Sequence, residues 1–125
     1  MEEYLRTLDE LNVSGPIEWV KAGEIQDFPA NGGLCIKAGM AQIAVFRFDR
    51  VGSWYATQNL CPHKLEMVLS RGMIGDNGGI PKLACPMHKK TFSLETGENL
   101  DGDLPKLKTY PVKVEQGIVY VGISE

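Results

Sequence analysis

The amino-acid sequence predicts a single all-β domain. Short segments rich in β-branched and aromatic residues are separated by turns that contain glycine or proline, which is typical of antiparallel strands. No alternation of strands with long helical segments occurs, which argues against a parallel α/β sheet. The chain has 125 residues with 43% hydrophobic content, enough for one modest hydrophobic core but marginal for two.

The first residues differ from the rest. Apolar residues recur at helical spacing from Tyr4 to Leu11, with acidic and basic residues between them. This pattern predicts a short amphipathic N-terminal helix over residues 1–13, with its apolar side on its own domain or on a partner. The β domain itself is predicted to span residues 14–125.

The strands follow in order along this domain. Periodicity and turn residues predict strands at 17–20, 34–37, 42–48, 53–58, 80–84 and 91–94. Within the third of these, Phe46 and Phe48 alternate with Arg47 and Asp49, which indicates a strand buried on one face. At the end of the chain, Tyr110–Glu115 and Ile118–Gly122 are predicted to form a hairpin around Gln116-Gly117.

Charge and apolar content exclude two classes of function. The net charge of −3 argues against nucleic-acid binding, and no basic helix contradicts this. The longest apolar run, Ile43 to Phe46, is far shorter than the roughly 20 residues that a membrane span needs. The acidic N-terminus does not resemble a signal peptide.

Two short motifs contain both histidines of the chain and two of its three cysteines. The first is Cys61-Pro62-His63, and the second, after twenty-one residues, is Cys85-Pro86-Met87-His88. Each motif supplies one thiolate and one imidazole, a ligand set for a metal that accepts both. The alternative is a structural Cys2His2 zinc site, although the Cys-x-His spacing is short for a zinc finger.

These motifs closely resemble the Rieske iron–sulfur pattern, in which two cysteines hold one iron of a [2Fe–2S] cluster and two histidines hold the other. The resemblance implies that Cys61, His63, Cys85 and His88 are the metal and cofactor ligands. It also implies stacked antiparallel sheets, with a small cluster-binding subdomain at about 59–95 and both histidines facing outward at its tip. Two neutral imidazoles in place of thiolates make the cluster easier to reduce than an all-cysteine one.

Some Rieske proteins join their two ligand loops by a disulfide, but Glu66 and Met87 stand at those positions here. High-potential members also place a serine and a tyrosine where this chain has Lys90 and Phe92. Because hydroxyl groups that donate to the sulfurs stabilise the reduced state, their absence predicts a low potential, near the −150 mV end of a range of about −150 to +300 mV.

The third cysteine, Cys35, is predicted to be a small apolar side chain buried in a strand. With two cysteines assigned as ligands, no pair is left for a disulfide. The cysteine usage therefore predicts a reducing compartment, the cytoplasm.

The segment between the motifs, with Leu69-Ser70-Arg71-Gly72, looks like that of the small subunit of assimilatory NAD(P)H nitrite reductase. The resemblance implies an oxidoreductase subunit that carries electrons in nitrate assimilation and has no substrate site or catalytic residue of its own. It implies a large partner subunit that carries FAD, a [4Fe–4S] cluster and sirohaem and reduces nitrite to ammonia. Two alternatives are a free Rieske-type ferredoxin for a ring-hydroxylating dioxygenase and a binding module with a structural cluster.

Overall fold

The protein is a set of antiparallel sheets, as predicted. The computed structural model describes residues 17–39, 41–49, 52–62, 65–87, 90–102 and 104–124. The predicted N-terminal helix and the boundary after residue 13 lie outside the described residues. The strands are β1 Ile17–Glu24, β2 Gly32–Ala38, β3 Ala41–Phe48, β4 Ser53–Gln58, β5 Leu60–Cys61, β6 Glu66–Met67, β7 Met73–Asn77, β8 Ile80–Ala84, β9 Thr91–Ser93, β10 Thr109–Tyr110, β11 Val112–Glu115 and β12 Ile118–Ser124. Two 3₁₀ turns cover Ile25–Asp27 and Leu69–Arg71.

The strands form two larger and two smaller sheets. The larger sheets have the strand orders β1-β12-β11 and β10-β4-β3-β2, and the smaller ones are β5-β6 and β7-β8-β9. Every pairing in them is antiparallel. The smaller sheets lie in the chain between β4 and β10, and they provide both cysteine motifs.

Strand β3 is buried on both faces at residues 43–46. The predicted half-buried strand concerned residues 46–49, where Phe46 is buried and Asp49 is exposed. Ile43 and Val45 pack in one hydrophobic cluster with residues of β12, and Ala44 and Phe46 pack in a second cluster with residues of the smaller sheets. A continuous apolar run is the pattern of a strand covered on both sides. In the described part of the chain, no helix is long and apolar enough to cross a membrane.

The C-terminal hairpin is confirmed, with one change at its start. Glu115 pairs with Ile118, so that Gln116 and Gly117 form a two-residue turn with both φ angles positive. Tyr110 belongs instead to β10 and pairs with Ala56 of β4. Pro111 separates the two strands because it has no N–H to donate to a ladder.

The hairpin of β7 and β8 was not predicted from the sequence. Strand β7 pairs with β8 from Met73–Ala84 to Asn77–Ile80, and the turn contains Gly78 and Gly79, both with positive φ. The Asp76 carboxylate accepts a hydrogen bond of 2.7 Å from the Gly79 backbone N–H and closes the turn. The Asn-Gly-Gly sequence was the available signal for this hairpin.

Candidate metal centre

Both cysteines of the predicted ligand set are buried in the same hydrophobic cluster. Cys61 ends β5 and Cys85 follows β8, and each is 1% exposed. Their cluster also contains Phe46, Leu69, Leu83 and Phe92. All three cysteines of the chain lie in the described residues, and none forms a disulfide. The fold therefore brings the two thiol groups, which are distant in sequence, into one water-excluded region.

Each cysteine motif is closed by a backbone hydrogen bond. The Leu65 N–H donates to the carbonyl oxygen of Cys61 at 2.8 Å, and the Cys85 N–H donates to that of Lys90, also at 2.8 Å. These bonds join the described ends of the two loops, Cys61 to Leu65 and Cys85 to Lys90. His63 and His88 belong to these loops by sequence, but they lie outside the described residues.

The donor chemistry fits the predicted cluster. A mixed centre needs two thiolates that are shielded from water and not oxidised to a disulfide, and Cys61 and Cys85 meet both conditions. In the sequence a histidine follows each cysteine, so each motif offers one thiol and one imidazole. The assignment of His63 and His88 as ligands stays a prediction from the sequence.

Phe92 supports the same cluster from the neighbouring strand. Its side chain is fully buried, and its backbone pairs with Leu83, two residues before Cys85. A phenyl ring has no hydroxyl to donate to a sulfur. The side chain beside the cysteines at this position is therefore wholly apolar.

An exposed carboxylate anchors the chain where it leaves the second loop. Asp101 accepts a hydrogen bond from the backbone N–H of Thr91 at 2.9 Å and a second from its hydroxyl at 3.3 Å. The hydrogen bond from the Thr91 backbone lowers the pKa of the Asp101 carboxyl, and the charge of Lys90 adds to this effect. The carboxylate therefore holds β9 in place next to the loop.

We expect this anchor to weaken in acid. Because the pKa of Asp101 is lowered on folding, its contribution to stability is present above the unfolded value of about 3.9 and is lost as pH falls through the folded value. The Asp101→Asn variant should be less stable than the wild type near neutral pH, and the difference should shrink at pH ~3. Urea unfolding of both proteins at the two pH values measures this. A difference that is the same at both values would contradict the prediction.

Cys35 lies in β2 as predicted, but its surroundings are more polar than expected. Its side chain is partly exposed, and its sulfur lies 3.5 Å from the Asn59 side-chain nitrogen and 3.7 Å from the Gln42 side-chain oxygen. The reason is that Gln42 lies on the neighbouring strand β3 and that Asn59, between β4 and β5, donates a hydrogen bond to it. No local sequence pattern marks this cluster, because its members lie far apart in the chain.

Three large apolar side chains are exposed around the two loops. Leu65 is 72% exposed, Met87 53% and Met67 48%. Leu65 also has a φ of 56°, a left-handed conformation that leucine rarely adopts. Neither burial nor backbone preference explains a leucine at this position. We call these three residues the apolar tip.

A separate groove of about 760 Å³ lies between the β7–β8 hairpin and residues of strands β3 and β4. Phe48, Tyr55 and Pro81 give it apolar walls, and Glu95 adds a carboxylate. Burial raises the pKa of the Tyr55 hydroxyl, and the charge of Glu95 raises it further. Neither Cys61 nor Cys85 is among the described residues that line this groove.

Comparison with known proteins finds a matching family model, similar sequences and similar structures. The family model of the Rieske-like [2Fe-2S] domain matches residues 18–122. The chain is 30% identical over 102 residues to the nitrite reductase (NADH) small subunit of Salmonella typhimurium, covering 82% of this chain and 94% of that protein. It superimposes on a structure described as an NADH-dependent nitrite reductase small subunit from Mycobacterium tuberculosis, with a TM-score of 0.82 and 29% identity, covering 88% of this chain and 98% of that one.

Two further relatives differ from these small subunits, the first in its length and the second in the system that it is named for. A nitrite reductase [NAD(P)H] large subunit from Klebsiella oxytoca is 40% identical over 105 residues, and the match covers 83% of this chain but only 11% of that protein. The chain thus spans about a tenth of this relative. A ferredoxin component of naphthalene 1,2-dioxygenase/salicylate 5-hydroxylase systems from Ralstonia is 34% identical, covering 78% of this chain and 88% of that protein. With the family model matched over most of its length, the chain belongs to the Rieske-like [2Fe-2S] domain family.

Proposed function

We propose that the chain is the electron-carrying small subunit of an NAD(P)H-dependent nitrite reductase. It would hold one [2Fe–2S] cluster through Cys61, His63, Cys85 and His88 and have no substrate site of its own. The observation that carries the proposal is the pair of thiols buried in one cluster, with the exposed residues of the apolar tip close to them in the chain. When bound, the cluster supplies one-electron redox chemistry.

The residues of the chain have three tasks in this role. Cys61 and Cys85 would provide the two sulfur ligands in a region from which water is excluded. Phe46, Phe92 and Leu69 keep that region apolar. The backbone hydrogen bonds from Leu65 to Cys61 and from Cys85 to Lys90 tie together the two ends of each cysteine loop.

The relatives support a large partner protein. In Klebsiella oxytoca the matched segment is about a tenth of a protein named as the large subunit, whereas in Salmonella typhimurium it is nearly the whole small subunit. The same domain therefore occurs both within a large chain and as a separate one. For this chain we propose a partner that resembles the rest of the large chain and carries FAD, a [4Fe–4S] cluster and sirohaem.

The apolar tip supports a docked subunit more than a diffusing carrier. Exposed apolar side chains that cluster around one site mark interaction surfaces, because water contact with them is unfavourable. Leu65 and Met67 follow the first cysteine motif in the chain and Met87 lies within the second, so all three are exposed close to the motifs in sequence.

Purification with the partner tests the proposal. The chain is tagged in its native host and recovered at low salt, and the absorption spectrum of the recovered material is recorded. Sirohaem bands together with NAD(P)H-driven consumption of nitrite are the expected result. A brown, reducible protein that is recovered alone would contradict the subunit proposal and favour a ferredoxin.

We further propose a cytoplasmic location, which the absence of disulfides among the three cysteines supports.

The second candidate function is a ferredoxin that delivers electrons to a ring-hydroxylating dioxygenase. The similarity to the Ralstonia ferredoxin component, over 88% of its length, favours it. A titration of the reduced protein against such an oxygenase distinguishes the two candidates, because only a ferredoxin should be reoxidised at a rate that rises with oxygenase concentration.

Leu65 offers a test of the apolar tip that separates docking from folding. Asparagine tolerates the left-handed conformation better than leucine, so we expect Leu65→Asn to leave stability unchanged or raise it by about 0.5 kcal/mol. Loss of the exposed apolar side chain should weaken partner binding by roughly three- to tenfold. Binding is measured by co-purification at graded salt and stability by urea unfolding. Equal partner binding by both proteins would show that the apolar tip is not part of the interface.

A further inference from the structure

Asn59 is a buried polar residue two positions before Cys61. It is 2% exposed, although an isolated amide would be unfavourable in such a place. Its side-chain oxygen accepts from the Ser70 N–H at 2.7 Å, and its side-chain nitrogen donates to the Gln42 side-chain oxygen at 3.1 Å. The side-chain nitrogen also lies 3.5 Å from the Cys35 sulfur. Both polar atoms of the side chain therefore make hydrogen bonds.

The main chain of Asn59 makes the same two connections. Its N–H donates to the Gln42 carbonyl oxygen at 3.0 Å, and its carbonyl oxygen accepts from the Leu69 N–H at 3.1 Å. Asn59 thus joins β3 on one side to the Leu69–Arg71 turn on the other. It does so directly before the chain enters the first cysteine loop.

The Leu69–Arg71 turn in turn contacts the second cysteine loop. Gly72 follows the turn and packs so closely on β8 that an added Cβ would overlap the carbonyl oxygen of Ala84, the residue before Cys85. An added Cβ on Gly33 would lie 2.6 Å from the Ser70 carbonyl oxygen, so β2 confines the turn from the other side. Leu69 itself is fully buried in the cluster that contains both cysteines.

We propose that Asn59 and the Leu69–Gly72 segment form a brace that sets the position of Cys61 relative to Cys85. Asn59 is a positioning residue that acts through the backbone and does not itself bind the cluster. The inference rests on the proposed cluster, since a fixed separation of two thiolates matters when both bind one cofactor. Groups that orient ligands in this way affect metal affinity by about 10- to 100-fold.

The test compares two near-isosteric changes in the same region. Asn59→Leu removes all side-chain hydrogen bonds of the brace. Thr57→Val is the matched control, since Thr57 is also fully buried and its hydroxyl contacts only the neighbouring carbonyl of Gln58. Gln42→Met removes only the contact from β3 and serves as a milder variant if Asn59→Leu does not fold.

Two measurements on the full-length protein decide the outcome. Hydrogen exchange should become at least about tenfold faster at the Leu69 and Ser70 amides in Asn59→Leu, but not in Thr57→Val. Iron release to a chelator should accelerate by about tenfold or more, with a changed electron paramagnetic resonance spectrum of the reduced protein, again only when the brace is altered. Gln42→Met should change both in the same direction by less.

An unchanged spectrum and iron-release rate in a folded Asn59→Leu or Gln42→Met variant would overturn the proposal. The same conclusion would follow if Thr57→Val had effects of equal size, because the response would then reflect general destabilisation. The hydrogen-exchange result does not depend on a bound cluster. If the wild-type protein contains no iron, but Asn59→Leu still exchanges faster at the Leu69 and Ser70 amides, the proposed function is contradicted and the structural brace is not.

Discussion

Replacement of Cys61 or Cys85 by serine is expected to yield a protein with at least about tenfold less iron and acid-labile sulfide than the wild type. Loss of an outer-sphere partner already costs about 10- to 100-fold in metal affinity, and loss of a direct ligand should cost at least as much. Both thiols are buried in one cluster, so neither can be replaced by a nearby exposed group. Iron and sulfide analysis with a visible absorption spectrum measures the effect.

Cys35→Ser is the matched control for these variants. This substitution is the same chemical change at a cysteine of β2, whose sulfur lies near the side-chain amides of Gln42 and Asn59. We expect this variant to keep its iron, sulfide and colour. A colourless wild-type protein that contains zinc would show instead that Cys61 and Cys85 belong to a structural zinc site.

The histidines complete this set of variants. His63→Ala and His88→Ala should each reduce bound iron, whereas a variant of a non-ligand loop residue such as Met87→Ala should not. Full iron occupancy in either histidine variant would remove that residue from the proposed ligand set.

Local patterns in the sequence predicted most of the fold. Residues 17–20, 53–58 and 80–84 lie in strands as expected, and the final hairpin has its turn at Gln116 and Gly117. These elements are predictable because strand period and turn chemistry are properties of neighbouring residues. The hydrophobic cluster around Cys61 and Cys85 follows the predicted convergence of the two motifs.

Features that depend on distant residues were not predictable in this way. The run from Ile43 to Phe46 is covered on both sides because separate sheets pack on it, and the run itself does not show which elements these are. Asn59 is similar: a lone asparagine before a strand reads as a turn residue, and its partners lie 11 and 17 positions away. The position of a buried amide becomes clear only when the elements that satisfy it are in place.

The potential of the bound cluster should respond to a single hydroxyl group at position 92. Phe92 is fully buried in the cluster that contains both cysteines, so Phe92→Tyr would add a hydroxyl to the same buried cluster as the two sulfurs. A hydroxyl that donates to sulfur stabilises the reduced form more than the oxidised form, because the reduced form carries more negative charge. A differential stabilisation of about 1 kcal/mol corresponds to a potential higher by about 40–60 mV for one electron.

Redox titration of both proteins measures this change. The wild type should titrate below zero, near −150 mV, and Phe92→Tyr should titrate above it. Phe46→Tyr is the matched control: Phe46 is an equally buried ring of the same cluster, but it lies on β3 and at no position where high-potential Rieske proteins carry a tyrosine. If both tyrosine variants shift the potential equally, the cause is a general increase in polarity. A folded Phe92→Tyr variant with the wild-type potential would mean that the side chain at this position does not set the low potential of the protein.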